Sequence, residues 1–286
     1  MTAFPRTVVG GVSLPRLLIG TNWFRGFSHV SAAKDKWIRR EMTAPRIAET
    51  LGVFLKAGVD AVMSGDLDRV MLEALQRAED RAGRGIIRII TPHFNIQPGG
   101  PDDARPERVF DRLKEEWGAT FAMPHQCVTD ALADRMIGKI RDLGKYTRMI
   151  RERGMIPGLS THMPETIAMA DRNNEDVECY VQLYNAAGFL MPIEADWAQR
   201  VIHNAGKPVM VIKPLAAGRL LPPVGLAFVW STIRARDMVT VGTMGPEEAE
   251  EVVEWSLAAI EKRAARVELQ TTRSKKSLEL SCTGPA

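Results

Sequence analysis

Two stretches constrain this chain most: Val209-Met-Val-Ile-Lys-Pro-Leu-Ala-Ala-Gly218 and Met238-Val-Thr-Val-Gly-Thr-Met-Gly-Pro-Glu-Glu-Ala-Glu-Glu251. Each opens with an apolar run of strand length that lacks in–out alternation, the mark of a strand covered on both faces. Each then enters a polar turn containing glycine, and after the second a helix begins at Pro246. A covered parallel strand needs a helical crossover to reach the next one, so the rest of the chain should repeat this unit.

It does. Thr7-Val-Val, the Gly10-Gly11 turn and Leu14–Ile19 predict a hairpin over Arg6–Ile19, whose second arm continues into a first strand ending at Gly20-Thr-Asn-Trp-Phe24. Seven further strands are predicted at Val59–Met63, Ile86–Thr91, Ala119–Met123, Met155–Ser160, Cys179–Leu183, Val209–Ile212 and Met238–Val241. Helical spacing fills the intervals at Ala44–Ala57, Arg69–Ala82, Pro106–Trp117, Ala131–Arg153, Pro164–Asn173, Glu194–Ala205 and Gly225–Ala235. Gly58 is placed to stop the first of these as a C-terminal cap. Eight such units close a (β/α)8 TIM barrel, with the N-terminal β-hairpin capping its amino mouth. The alternative, an open doubly wound sheet, lacks a Gly-x-Gly-x-x-Gly after the first strand.

With 286 residues, 45% of them hydrophobic, the chain suits a single (β/α)8-barrel domain over residues 1–286. Asn95–Arg108 is then a long loop on the carboxyl face, and residues 266–286 a C-terminal tail or wrap. The net charge of +3 is dispersed, which argues against nucleic acid as a partner. No apolar run approaches the roughly 20 residues of a membrane span. Cys127, Cys179 and Cys282 have no metal-type spacing and form an odd set, as expected of reduced thiols in a cytoplasmic protein. Oligomeric state is not legible, and the expected partner is a small-molecule substrate.

Barrel chemistry lies at the carboxyl ends of the strands. Those ends carry Thr21, Asn22 and Trp23; Ser64 and Asp66; Thr91, His93 and Asn95; His125 and Gln126; Ser160, Thr161 and His162; Gln182, Tyr184 and Asn185; Lys213; Gly242 and Thr243. His93, His125 and His162 follow three adjacent strands, whereas His29 and His203 fall in a loop and on a helix. Near-neutral imidazoles suit acid–base catalysis; they also suit a divalent metal, for which Asp66 is the nearest carboxylate. A desolvated Lys213 is a fourth catalytic candidate. Local hydrogen bonding around a wet pocket is the non-catalytic reading of the same residues.

Several of these turns resemble the aldo/keto reductase superfamily, in particular a bacterial branch. The resembling segments are the hairpin into Leu17-Leu-Ile-Gly-Thr21, Ala122-Met-Pro-His125, Gly158-Leu-Ser-Thr-His-Met-Pro-Glu165, Val181-Gln-Leu-Tyr-Asn185 and Ile212-Lys-Pro-Leu-Ala-Ala-Gly-Arg-Leu220. The resemblance implies a barrel oxidoreductase in which His125 polarises a carbonyl. It places Ser160 and Gln182 at a nicotinamide, Pro214, Leu215 and Gly218 at the pyrophosphate, and Gly242 with Glu251 at the adenosine end.

The chain departs from that pattern where the family keeps its proton donor. Met63 stands at the family's aspartate, no tyrosine follows in Asp66–Ala82, and Thr91-Pro-His-Phe94 has no lysine. Glu247 and Glu248 open the last helix without the basic residues that hold a 2′-phosphate, so NAD is the expected cofactor. The expectation is an aldo/keto reductase-like enzyme with a histidine-based catalytic set of His125, His93, His162 and Lys213. Two alternatives stand beside it: a metal-dependent lyase or hydrolase using the three histidines with a divalent metal, and a non-catalytic ligand-binding barrel.

Overall fold

A computed structural model describes residues 3–97, 101–268, 270–272 and 274–276. In chain order its strands are β1 (Arg6–Val9), β2 (Val12–Pro15), β3 (Leu17–Gly20), β4 (Ala61–Ser64), β5 (Ile87–Ile90), β6 (Phe121–Ala122), β7 (Ala133–Asp134), β8 (Lys139–Ile140), β9 (Ile156–Pro157), β10 (Leu159–Ser160), β11 (Tyr180–Leu183), β12 (Val209–Ile212) and β13 (Met238–Val241). Its helices are α1 (Ala32–Glu41), α2 (Ala44–Lys56), α3 (Arg69–Ala82), α4 (Pro106–Glu115), α5 (Gln126–Leu132), α6 (Leu143–Glu152), α7 (Pro164–Arg172), α8 (Ala195–Asn204), α9 (Pro222–Thr232) and α10 (Pro246–Glu261). None of the described helices is long and apolar enough to cross a membrane.

Nine parallel strand segments run in the order β10-β11-β12-β13-β3-β4-β5-β6-β9. Only Gly158 separates β9 from β10, so the two ends of that order are halves of one strand. Its first half bonds β6, with Phe121 opposite Ile156, and its second bonds β11, with Leu159 opposite Tyr180. The ring thereby closes, with eight positions as the sequence predicts.

Alternation along each strand divides the apolar residues between two cores. Leu18, Met63, Ile89, Phe121, Val181 and Met210 point into the barrel. Leu17, Ile19, Val62, Ile90, Val209 and Val211 face the helices. Both sides are dry, which is why the strands read as continuous apolar runs. Val9 and Leu14 of the β1–β2 hairpin join the interior group and seal the amino mouth. Gly10 (φ +54°) lies at the turn, where a Cβ would sit 2.7 Å from Ile156 Cγ2.

Two expectations need correction. The single helix predicted over Ala131–Arg153 is α5, a short β7–β8 hairpin and α6. Asp134 Oδ1 accepts the N–H groups of Met136 and Ile137 (3.1 and 3.3 Å), turning the chain. Gly138 (φ +66°) and Asp142 (φ +58°) complete the break, against the local helical pattern. Conversely, the segment between the first strand and the helix predicted at Ala44–Ala57, for which no helix was expected, contains α1, started by Ser31, whose hydroxyl accepts the Lys34 N–H. Ile38 is the only buried residue of α1, so no apolar stripe announces it. The tail-or-wrap reading of 266–286 falls largely outside the described residues, as does Cys282; before that, the Arg266 N–H reaches Glu254 Oε1 at 2.6 Å.

Closure around Gly158 yields a prediction. A Cβ there would meet Met123 Cγ at 2.8 Å, Met123 Sδ at 2.9 Å and Cys179 Sγ at 3.0 Å, all inside the barrel. Gly158→Val should therefore destabilise the fold by about 1–3 kcal/mol through overpacking, read as a lowered urea midpoint at unchanged slope.

Candidate active site

The carboxyl ends of the ring strands surround a cavity of about 590 Å³, to which all eight ring positions contribute. Trp23 forms one wall, its Cδ1 standing 2.9 Å from where a Cβ on Gly242 would lie. Any larger residue at 242 would push Trp23 off that wall.

His125 lines this cavity and is the N-cap of α5. Its Nδ1 accepts the Cys127 N–H at 3.3 Å. A backbone N–H can only donate, so the neutral ring carries its proton on Nε2. Burial, followed by the neighbouring His93, His162 and Lys213, pushes the pKa of His125 down to about 4. At neutral pH His125 is thus an uncharged N–H donor, not the near-neutral acid that its residue type implies.

His162 lines the same cavity, on the turn after β10, next to β6 in the ring. Asp130 of α5 holds that turn: Oδ2 accepts the His162 N–H at 3.1 Å, and Oδ1 accepts the Thr161 hydroxyl. Burial first, then Lys213 and His29, lower the His162 pKa to about 4. Lys213 ends β12 with φ +59° and starts a turn in which Ala216, Ala217 and Gly218 also have positive φ, at 50°, 55° and 83°. Three non-glycine residues in that region store strain, which proteins retain mainly at working sites. Burial brings the Lys213 ammonium down to about 8. Its Nζ donates to His29 Nε2 at 2.8 Å.

His29 is the site residue that sequence reasoning missed. It sits in the loop between β3 and α1 (φ +56°), edge-on to Phe189 with ring centroids 6.4 Å apart, and its carbonyl accepts from Arg219. The available signal was topological, since a loop leaving a strand's carboxyl end lies on the active face.

His93 does not line the cavity. It stacks on His125, with centroids 3.8 Å apart, and its ring reaches Cys127. The metal alternative of His93, His125 and His162 with Asp66 is not the grouping found among the described residues. His162 is not within ligand distance of the other two, and Asp66 is taken by Arg25 in an ion pair. Cys127, which has no metal-type spacing in the sequence, is brought to His93 and His125 instead.

Of the positions that resemblance assigns to a cofactor, Ser160, Pro214, Leu215, Gly218, Gly242 and Glu251 line the cavity. Gln182 is fully buried just behind it, with Nε2 donating to the His162 and Leu183 carbonyls and Oε1 without a partner. Thr243, also in the lining, has a buried hydroxyl without a partner. At the far edge Glu248 accepts the Met244 N–H at 2.8 Å, so this helix start presents carboxylates. Tyr184 points away into the helix layer, bonding Thr232, and Asn185 ties its own turn to Phe189. Neither of the other two tyrosines lines the cavity, Tyr180 bonding Asp171 and Tyr146 packing on Phe94.

No family model matches the sequence, and no curated protein matches it. Solved structures do. A protein from Pseudomonas aeruginosa assigned to the aldo-keto reductases superimposes with a TM-score of 0.65 at 15% identity, covering 91% of this chain and 99% of its own. The glycerol dehydrogenase of Gluconobacter oxydans gives 0.54 at 11% identity, covering 93% and 99%. The aldose reductase of Giardia lamblia gives 0.53 at 12%, covering 97% and 91%. At such identities the likeness is one of fold: this chain has the (β/α)8-barrel architecture that these proteins share.

The buried imidazoles set a pH signature. His162 has a folded pKa near 4 against an ordinary 6.5. Between those values the unfolded chain binds more protons, so stability should fall as pH drops from 6.5 to 4. Allowing for solvent in the open cavity, His162 should account for about 1–2 kcal/mol of that loss. Urea denaturation at pH 7 and 4.5 should show a smaller decline in His162→Asn than in the wild type.

Proposed function

We propose that this barrel is an NAD-linked oxidoreductase that interconverts a small carbonyl compound and its alcohol with a histidine–lysine catalytic set. The observation that carries the reading is that His125, His162 and Lys213 line the same cavity as the residues at cofactor positions. The orphan Thr243 hydroxyl in the lining is a group that a bound ribose or phosphate would satisfy.

Ser160 would contact the carboxamide, with Gln182 behind the wall tied to the His162 carbonyl, while Pro214, Leu215 and Gly218 would meet the pyrophosphate and Gly242 with Glu251 the adenosine end. NAD, when bound there, supplies or accepts the hydride. As a carbonyl is reduced, negative charge collects on its oxygen. The His125 Nε2–H, fixed in that tautomer by the Cys127 amide, would donate to this oxygen without being an acid itself. The proton would come from the Lys213 ammonium, whose pKa near 8 keeps it charged at neutrality yet able to let go. His29 and the strained turn hold Nζ at the cavity wall. Neutral His162 would complete the wall without adding a second charge.

This set would replace the family's tyrosine. Ordinary NADPH-dependent reduction of simple aldehydes should therefore run near background.

Titration with NAD should quench tryptophan fluorescence saturably, an effect lost in Trp23→Phe; the absence of any NAD-dependent change would refute the cofactor assignment. NADP should bind roughly tenfold more weakly or worse, since Glu248 and Glu251 face the added phosphate. Across a panel of small carbonyl compounds with NADH, Lys213→Met should lower kcat about 10²–10⁴-fold while leaving NAD binding within a few-fold. The wild-type rate of reduction should decline above pH 8 as the ammonium is lost, and Lys213→Met should lack that limb.

A further inference from the structure

We propose that His93, Cys127 and His125 form a binding site for one zinc-type divalent transition ion at the edge of the mouth. The site goes beyond the cofactor reading and shares with it only His125, whose Nδ1 would bind the ion in place of the Cys127 N–H.

The three side chains each offer one ligand atom, and these atoms lie within 4.8 Å of one another. Backbone pairing holds the cluster together. β5 and β6 are hydrogen-bonded neighbours, and the His125 N–H donates to the Pro92 carbonyl at 3.0 Å, so the two histidines leave adjacent strands side by side. Their rings stack, and each turns Nδ1 to the same sulfur: Cys127 Sγ is 3.0 Å from His93 Nδ1 and 3.3 Å from His125 Nδ1. Cys127 is placed by the first turn of α5, two residues beyond His125.

Hydrogen bonds alone leave this cluster poorly matched. An imidazole nitrogen has one in-plane lone pair, and that of His125 Nδ1 already accepts the Cys127 N–H in a long 3.3 Å bond. The Cys127 thiol proton then competes for the same lone pair or turns to His93. An ion replaces this competition with coordinate bonds at the cost of one weak cap bond. At ordinary zinc–nitrogen and zinc–sulfur lengths of about 2.1 and 2.3 Å, ligand nitrogen and sulfur stand roughly 3.6 Å apart. The observed 3.0 and 3.3 Å contacts would open by about 0.6 and 0.3 Å, and the stacked rings would turn apart until both ring planes contain the ion. His93 and Cys127 are exposed, so an ion can enter from solvent.

The donor set selects the ion. One thiolate and two imidazoles suit zinc and its neighbours and exclude magnesium or calcium, which require oxygen ligands. Three protein ligands leave a fourth position open, as in zinc sites that bind water or substrate. Coordination through Nδ1 keeps the His125 Nε2–H available to the cavity, so ion and ligand can be bound together.

The test uses Co²⁺ as a spectroscopic probe on the full-length, untagged protein. We expect one Co²⁺ per chain with a thiolate-to-cobalt charge-transfer band, displaced by Zn²⁺ and unaffected by Mg²⁺. The band should vanish in Cys127→Ser, persist in His203→Gln, and weaken by roughly tenfold or more in apparent affinity in His93→Asn. No band in the folded wild type, or a band that survives Cys127→Ser, overturns the site. A second measurement avoids reliance on variant folding. Stoichiometric Zn²⁺ should slow alkylation of Cys127 in the wild type, followed by peptide mass spectrometry, and equal rates with and without the ion overturn the proposal.

Discussion

The strand Ile156–Ser160 bonds to β6 with its first half and to β11 with its second, and the rest of the molecule depends on that closure. Without it the sheet would have two free edges, and the interior of Met63, Phe121, Met123, Cys179 and Met210 would lie open to water. Glycine at 158 lets the strand pass close to Met123 and Cys179 at the point where its partner changes. The β1–β2 hairpin then plugs one end with Val9 and Leu14. Only the carboxyl mouth remains for polar groups, and all the candidate chemistry collects there.

The same packing sets the electrostatics. Around the inner part of the mouth, His125, His162 and Lys213 are half-buried, and they and His29 have pKa values below their ordinary range, with desolvation the largest cause for each. Each of the first three also lies in the field of at least one other member of the group or influences it, so charging one discourages charging the next. The outcome is a mouth with neutral imidazole donors and one ammonium. Met63, buried where the aldo/keto reductase pattern has an aspartate, fits this arrangement, because no lysine follows β5 to be paired with it. The acidic groups that line the cavity, Glu248 and Glu251, lie at the other end, on α10.

The architecture was largely legible because it is written in short range. Continuous apolar runs such as Val209–Ile212 and Met238–Val241 could only be doubly covered strands, and their spacing required helical crossovers. Legibility failed where the local pattern was ambiguous. The Ala131–Arg153 segment has helical spacing at both ends, yet Asp134 and Gly138 break it with a hairpin. Ser31–Glu41 buries a single apolar residue, Ile38, and so gave no periodic signal for α1.

What the sequence determined by itself was the ring, the hairpin cap and the set of polar residues at strand ends, since each follows from alternation, turn chemistry or chain order. What only the tertiary structure decided was which of those residues meet. His162 and His93 follow strands equally near His125 in the ring, but one lines the cavity with His125 and the other lies outside that lining, stacked against the His125 ring beside Cys127. His29 and Lys213 are 184 residues apart and form a hydrogen bond. Such meetings depend on the direction of a side chain leaving a turn, and on loop backbones held at positive φ by packing from distant elements. Residue type and spacing carry neither, because the energy that fixes them comes from contacts that exist only once the barrel has closed.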